Sequence, residues 1–258
     1  VPTRYPSAFV DNLLGWEKTD QYNVGMDLSF LRNRITLSAN YYNSISNDLL
    51  FNKPVSAIAG ATQYKSNLSN AKIRNTGFDI QVDGRILTGV VNWNIGANLS
   101  LNRNKVLSLP DSQSIVSIGE RSAISHITMV GKPIGSFYGL NSLGVISEEE
   151  YQRILVDKQH IGEEGYQLTG PAVWNYENVQ PGDAKWKDVN NDGKITDDDR
   201  EILGDNYPDF TYGFSTNISY KGLSLSASFS GVQGAQVISF QNYYLLNMEG
   251  TCNQFALA

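Results

Sequence analysis

Apolar and polar residues alternate with period two along several segments of this chain. Tyr22, Val24, Met26, Leu28 and Phe30 are interleaved with Asn23, Gly25, Asp27 and Ser29. Trp93, Ile95, Ala97, Leu99 and Leu101 are interleaved with Asn94, Gly96, Asn98, Ser100 and Asn102. The same alternation runs from Phe210 to Tyr220 and from Leu223 to Ser230. Period two predicts β-strands. The chemistry of the polar face carries more information. A soluble sheet usually turns Lys, Glu and Arg to water, whereas here the polar face is mostly Ser, Asn, Gly and Thr. Such a face suits a hydrated lumen walled by strands whose other side meets lipid. Segments of roughly ten residues also match the span of a tilted membrane strand. On this reading Val24, Met26, Leu28, Ile95, Leu99, Phe214, Leu225 and Phe229 face lipid. A soluble β-sandwich alternates too and stays open at this point.

Turn signals arrange the strands in pairs. Strands at about 21–30 and 34–43 meet at Leu31-Arg32-Asn33. Those at about 75–85 and 90–103 meet at Ile86-Leu87-Thr88-Gly89, and those at about 209–220 and 223–233 at Lys221-Gly222. A weaker pair, 123–130 and 134–146, meets at Gly131-Lys132-Pro133. Polar segments at about 44–74, 104–122 and 147–207 separate the pairs. Short turns alternating with long loops are the asymmetry of outer-membrane barrels, with short periplasmic turns and long extracellular loops. The expected fold is therefore all-β: an antiparallel up-and-down transmembrane β-barrel segment of about eight strands. Residues 1–258 would form part of one barrel domain. Eight strands can close alone, but the small lumen side chains would leave so narrow a barrel poorly filled. Both chain ends read as cuts, so the expectation is a fragment of a larger barrel.

Composition narrows the functional classes. Charged residues make up 18% of the 258 positions and the net charge is −6, so no basic stripe is evident to neutralise nucleic-acid phosphates. The single cysteine, Cys252, allows no internal disulfide, and His126 and His160 are the only histidines. No apolar run approaches the length of a transmembrane helix. The mean hydropathy of −0.30 leaves a barrel open, because alternation averages hydropathy away. The 14 tyrosines suit interfacial girdles, where one end of the ring is dry and the other wet. No Ser/His/Asp or Cys/His set is readable, and an enzyme is not expected.

The longest excursion carries a calcium-type loop. From Asp188 to Asp199, oxygen-bearing side chains stand at positions 1, 3, 5, 9 and 12: Asp188, Asn190, Asp192, Thr196 and Asp199. Gly193 falls where such a loop turns sharply, and the Lys194 carbonyl falls at position 7. A hard cation takes six to eight oxygens, and this spacing wraps them about one point. Asp199 stands in place of the usual Glu. Pro181 and Gly182 upstream deny the loop an EF-hand's first helix. The expected metal is Ca²⁺ with a structural role, and an acidic turn network without metal is the alternative.

The segments Asp183-Ala184-Lys185-Trp186-Lys187-Asp188-Val189-Asn190-Asn191-Asp192-Gly193-Lys194-Ile195, Asp199-Arg200, Leu203-Gly204 and Pro208-Asp209-Phe210-Thr211-Tyr212-Gly213-Phe214 together resemble the barrel signature of SusC/RagA-type TonB-dependent outer-membrane transporters. Leu14-Gly15-Trp16-Glu17-Lys18-Thr19 and Gly131-Lys132-Pro133-Ile134-Gly135-Ser136-Phe137-Tyr138-Gly139 resemble further elements of that family, and Asn75-Thr76-Gly77-Phe78-Asp79 and Tyr220-Lys221-Gly222-Leu223 also fit. The resemblance implies a bacterial outer-membrane location and uptake of oligosaccharides or peptides. It also implies a SusD-like surface lipoprotein and energy from the TonB complex through a region absent here. No plug domain or TonB-contacting box is readable. Lumen hydroxyls and amides favour neutral or weakly acidic oligosaccharides over peptides as the imported ligand. Tyr64, Trp174, Tyr176 and Trp186 are weak candidates to stack on sugar rings, against the plainer reading that they pack the loops together. The second class kept open is a soluble, calcium-stabilised carbohydrate-binding or adhesin module.

Overall fold

The computed structural model describes residues 8–54, 58, 63–110, 114–118, 125–161, 163, 165–239 and 241–242. The chain falls into two units. The first begins with β1 (Ala8–Val10), β2 (Lys18–Phe30), β3 (Ile35–Asn47), β4 (Leu50–Pro54), β5 (Gln63–Asn67), β6 (Lys72–Leu87) and β7 (Val91–Ser108). The second contains β8 (Ile115–Ile118), β9 (Ser125–Thr128), β10 (Ser136–Gly139), β11 (Ser142–Val145), α1 (Glu148–His160), β12 (Ala184–Trp186) and β13 (Glu201–Gly204). The chain then returns to the first unit with β14 (Phe210–Tyr220) and β15 (Leu223–Gln233).

The first unit is built on an open six-stranded sheet ordered β15-β14-β7-β6-β3-β2, antiparallel at every pairing. Register places Val24, Tyr41, Phe78 and Leu101 side by side across four strands. It places Ala97, Phe214 and Phe229 together across the other three-strand side. One face is thus continuous and apolar, and many of its large side chains stay exposed among the described residues. Val24 is 69% exposed, Leu225 67% and Phe229 64%. Met26 and Phe214 are also exposed, while Leu28, Ile95 and Leu99 are half-buried by their neighbours. Two polar pairs within the apolar stretch of this face satisfy each other: the Trp93 indole donates to the Thr216 hydroxyl at 2.9 Å and the Thr76 hydroxyl to the Asn43 amide oxygen at 3.0 Å. Such pairing is what a surface without water requires.

The opposite face is polar and internally bonded. The Ser38 hydroxyl donates to Asp27 at 2.6 Å, the Gln81 amide to Asp83 at 2.8 Å and the Asn217 amide to the Ser226 hydroxyl at 2.8 Å. Gly77 lies opposite Tyr42 in register, and a Cβ there would fall 2.2 Å from the Tyr42 ring. Glycine leaves room for that ring to lie flat along the wall.

Tight turns close one end of the sheet. Leu31, Arg32 and Asn33 are all left-handed (φ 51°, 57° and 64°), and Lys221 and Gly222 follow at 45° and 86°. A two-residue turn with both residues left-handed matches the twist of the strands it joins. Both long connections, between β3 and β6 and between β7 and β14, leave from the other end. There β4 and β5 pair antiparallel, and β1 adds to β5 in parallel.

Among the described residues the wall has six strands, where about eight were expected. The fourth pair, expected over 123–130 and 134–146, breaks among its described residues into the four-residue strands β9, β10 and β11; 123 and 124 lie outside them. β9 and β10 belong to a separate sheet ordered β13-β10-β9-β8, and β11 to a pair with β12. Four residues cannot span a membrane, which takes about nine to eleven, and Gly131, Pro133 and Gly135 interrupt any longer run. Conversely β6 and β7, at 16 and 18 residues, outrun their expected lengths.

In the second unit β11 pairs with β12. A small core of Ile146, Ile154 and Val173 is flanked by Tyr151, Tyr176 and Val179. The segment 147–207 is accordingly far from structureless.

Candidate functional site

Helix α1 starts at a capping box. The Ser147 hydroxyl accepts the Glu150 N–H at 3.2 Å, and the Glu150 carboxylate accepts the Ser147 N–H at 3.0 Å, which satisfies amides that the first turn leaves free. The other Glu150 oxygen accepts from the Lys185 ammonium at 2.7 Å, tying the helix start to β12. Lys185 first, then the Ser147 N–H, hold the Glu150 pKa down to about 2.

Further along the helix, Asp157 is fully buried. Its carboxylate accepts the Thr169 and Gly170 N–H groups and the Tyr166 and Thr169 hydroxyls, at 2.7–3.0 Å. Burial works to raise its pKa, but these donors outweigh burial and the net direction is down. Asp157 thereby fixes the irregular segment that leads into Val173.

Val173 in turn seats the calcium-type loop: its carbonyl accepts the Ile195 N–H at 3.2 Å, and Ile195 is 1% exposed. The Tyr176 hydroxyl donates to the Gly193 carbonyl at 2.8 Å. Burial first, and then Asp157, Asp188 and Asp192, raise the Tyr176 pKa. Gly193 has φ 82°, a backbone that glycine adopts without strain, and a Cβ there would push the Leu168 methyl aside.

Five of the six expected ligands fall into two groups, and the sixth, Lys194, stands between them in a β-bridge with Val173. Asp188, Asn190 and Asp192 share one turn. Asp188 accepts the N–H groups of Asn191 at 2.6 Å and Gly193 at 2.8 Å, Asn190 accepts that of Asp192 at 2.9 Å, and Asp192 accepts that of Lys194 at 2.8 Å. Thr196 and Asp199 form a second capping box around the 3₁₀ turn Asp197–Asp199. The Asp199 carboxylate is fully buried and accepts the Val189 N–H at 2.9 Å and the Thr196 N–H at 2.7 Å. The Thr196 N–H first, then the Val189 N–H, lower its pKa against burial. Asp199 thus pins both ends of the loop. Among the described residues no three His, Cys, Asp or Glu side chains converge as a metal cluster; the loop's oxygens are mixed carboxylate, amide and hydroxyl.

Beside this turn lies a cleft of about 780 Å³, lined among others by His160, Tyr166, Tyr176, Asp188 and Asp192. The His160 and Tyr166 rings stack with centroids 4.8 Å apart. The candidate aromatics separate. Tyr176 lines this cleft, Trp174 and Trp186 share a second groove of about 260 Å³ with Val179 and Ile146, and Tyr64 sits on β5 in the first unit. Ser147-x-x-Glu150 was a readable signal for α1. The role of Asp157 had no sequence signal, because its partners lie nine to thirteen residues downstream.

Comparison with known proteins places these features in context. A family described as "TonB dependent receptor-like, beta-barrel" matches residues 2–228. The chain is 29% identical over 254 residues to the TonB-dependent receptor P3 of Formosa agariphila, covering 96% of this chain and 23% of that protein. It is 26% identical over 233 residues to the TonB-dependent receptor SusC of Bacteroides thetaiotaomicron, covering 88% and 20%. Among solved structures, the RagAB peptide importer in its "closed-closed" state superposes with a TM-score of 0.65 at 25% identity, over 92% of this chain and 23% of that one. The chain therefore spans about a quarter or less of the relatives it matches.

Proposed function

The chain belongs to the TonB-dependent receptor-like β-barrel family of outer-membrane proteins, and on that premise we propose that it forms wall and extracellular loops of a nutrient importer for oligosaccharides. The observation that carries the ligand class is the inner face of the large sheet. There the Asn217 amide donates to the Ser226 hydroxyl and the Thr19 and Ser46 hydroxyls pair, while Asp27, Asp79 and Asp83, which accept from Ser38, Ser100 and Gln81, are the charged exceptions on a face otherwise of hydroxyls and amides. Such a surface trades hydrogen bonds with hydroxyl-rich, neutral solutes without imposing a strong field, whereas a conduit for charged solutes calls for charged rings. Peptides are the second reading, favoured by the likeness to the RagAB peptide importer.

A SusD-like lipoprotein would meet the long connections from outside, and TonB would energise the full-length protein. The loop at 188–199 would take Ca²⁺ through Asp188, Asn190, Asp192, the Lys194 carbonyl, Thr196 and Asp199. The spacing of hard oxygens supports this, and the role is to stiffen the excursion.

The test uses the full-length protein in its native host, compared with a form lacking residues 184–204. Uptake of labelled oligosaccharides and peptides and co-purification of the surface lipoprotein are measured. The expected result is oligosaccharide uptake in the unmodified protein, with both uptake and lipoprotein capture reduced by the deletion while the barrel stays in the membrane. Peptide uptake without oligosaccharide uptake would overturn the ligand, and unchanged capture would overturn the role of the loop.

A further inference from the structure

One end of the apolar face breaks its own pattern. On β6 the positions of this face run Val82, Ile80, Phe78, Thr76, Arg74 and Lys72; on β7 they run Ile95, Ala97, Leu99, Leu101, Arg103 and Lys105. Register sets Thr76 opposite Arg103 and Arg74 opposite Lys105. On the neighbouring strand, Tyr41 lies beside Phe78 and Asn43 beside Thr76. Arg74, Arg103 and Lys105 therefore border one shallow hollow of about 530 Å³, together with Tyr41, Asn43 and Thr76.

The electrostatics are unbalanced. Like charges placed directly opposite in a sheet repel, so the Arg74–Lys105 pair costs stability unless an anion joins it. Arg103 has Asp209 at 3.1 Å, with both side chains largely exposed. Among the described residues, Arg74 and Lys105 have no hydrogen-bonding or ion-pair partner from their side chains. On the same face, Asp20 lies opposite Ile45, which lies opposite Arg74, two strand spacings or roughly 9.6 Å away.

The position decides what the anion is. The cluster is on the face without lumen chemistry, at the end from which the long connections leave, and it begins where the apolar run ends. That end is the extracellular boundary of the bilayer. An acyl chain lying along Tyr41, Phe78 and Leu101 brings its headgroup level with the three cations. Guanidinium groups match phosphate in a forked geometry that an ammonium reinforces as a point charge. Basic residues at a membrane boundary next to an apolar surface recognise anionic headgroups.

We propose that Arg74, Arg103 and Lys105 form a binding site for the phosphate of an anionic lipid in the outer leaflet, seated against the outside of the wall. The site rests on the assignment of the apolar face to lipid, which cysteine labelling at Leu225 and Ser226 tests separately. It is independent of what the lumen transports.

The experiment places the full-length protein in phosphatidylcholine nanodiscs doped with a minor fraction of lipid A, or with the same lipid A after enzymatic removal of its phosphates. Retention of the glycolipid through purification and thermal stability are both measured. Arg74→Gln with Lys105→Gln should lower retention of the phosphorylated lipid by roughly 30-fold, from the loss of two cations near the headgroup plane. The same variant in lipid-free detergent should be as stable as the unmodified protein or slightly more so, since a repulsive pair is gone. Equal retention by variant and unmodified protein would overturn the site. So would equal retention of phosphorylated and dephosphorylated lipid A, or complete displacement by millimolar inorganic phosphate.

Discussion

Asp199 and Glu150 show how single carboxylates organise the second unit. Each is an acid at the third position of a capping box, and each has a lowered pKa. A depressed carboxylate contributes stability that is present above its unfolded value and lost as the pH falls through its folded value. For Glu150 that window runs from the ordinary 4.5 down to about 2. Asp157, Asp199 and Glu201 shift in the same direction. The start of α1 should therefore keep its amide protection until the pH approaches the bottom of that window. Lys185→Met should move its loss upward toward 4.5; a native Glu150 that titrates at its ordinary value would refute the Lys185 tie. The calcium-type loop offers a second residue-level outcome. Asp188→Ala with Asp192→Ala should increase protease cleavage between about 175 and 205, and calcium should protect only the unmodified loop. Identical cleavage of the unmodified protein with and without calcium would rule out a working metal loop. The oxygens at fixed spacing were legible in the sequence, as was the sharp turn at Gly193. That Asp199 closes the base of the loop through Val189 and Thr196 was not, because backbone donors carry no sequence mark.

At the scale of elements, alternation was the dependable signal. The strands around Val24, Ile95, Phe214 and Leu225 stand where period two put them, since slipping by one residue would turn every apolar side chain to the wrong face. The single replacements Leu225→Cys and Ser226→Cys in the membrane-embedded protein make this measurable. The thiol introduced at position 226 should react with an aqueous reagent and the one at position 225 should not; equal reaction at both would defeat the assignment of lipid and lumen faces. A charge in place of Phe229, in the middle of its strand, should cost a few kcal/mol, and a charge in place of Leu225, close to the turn, should cost less. The same alternation misled at 123–146, where short apolar stretches around Ile127 and Phe137 serve a sheet of the second unit. Only strand length separates the two uses, and Gly131, Pro133 and Gly135 set that length. The basic cluster on β6 and β7 escaped the sequence reading for another reason. An acidic chain hides it in composition, and only register brings Arg74 level with Lys105.

At the scale of the whole molecule, the sequence motifs identified the family and the side of the wall on which the long connections lie. They could not show that the last of these connections is a folded unit in its own right, because α1 and three of its six short strands, β8, β12 and β13, lie in stretches read as irregular and polar. The pairing of β7 with β14 has a consequence for how such a wall can change. Ser100 is paired with Thr211, although residues 109–209 intervene, a connection of 101 residues against 24 for residues 48–71 between β3 and β6. Loop-closure entropy rises only with the logarithm of length, by about 0.6 kcal/mol per doubling. The longer connection is about two doublings beyond the shorter and so costs only roughly 1.2 kcal/mol more to close. Its own hydrophobic core and its buried Asp157 and Asp199 network work against that small increment. Large insertions on the outer side are therefore nearly free for the strands that bear them, and a transporter can exchange its outer apparatus while its membrane wall stays the same.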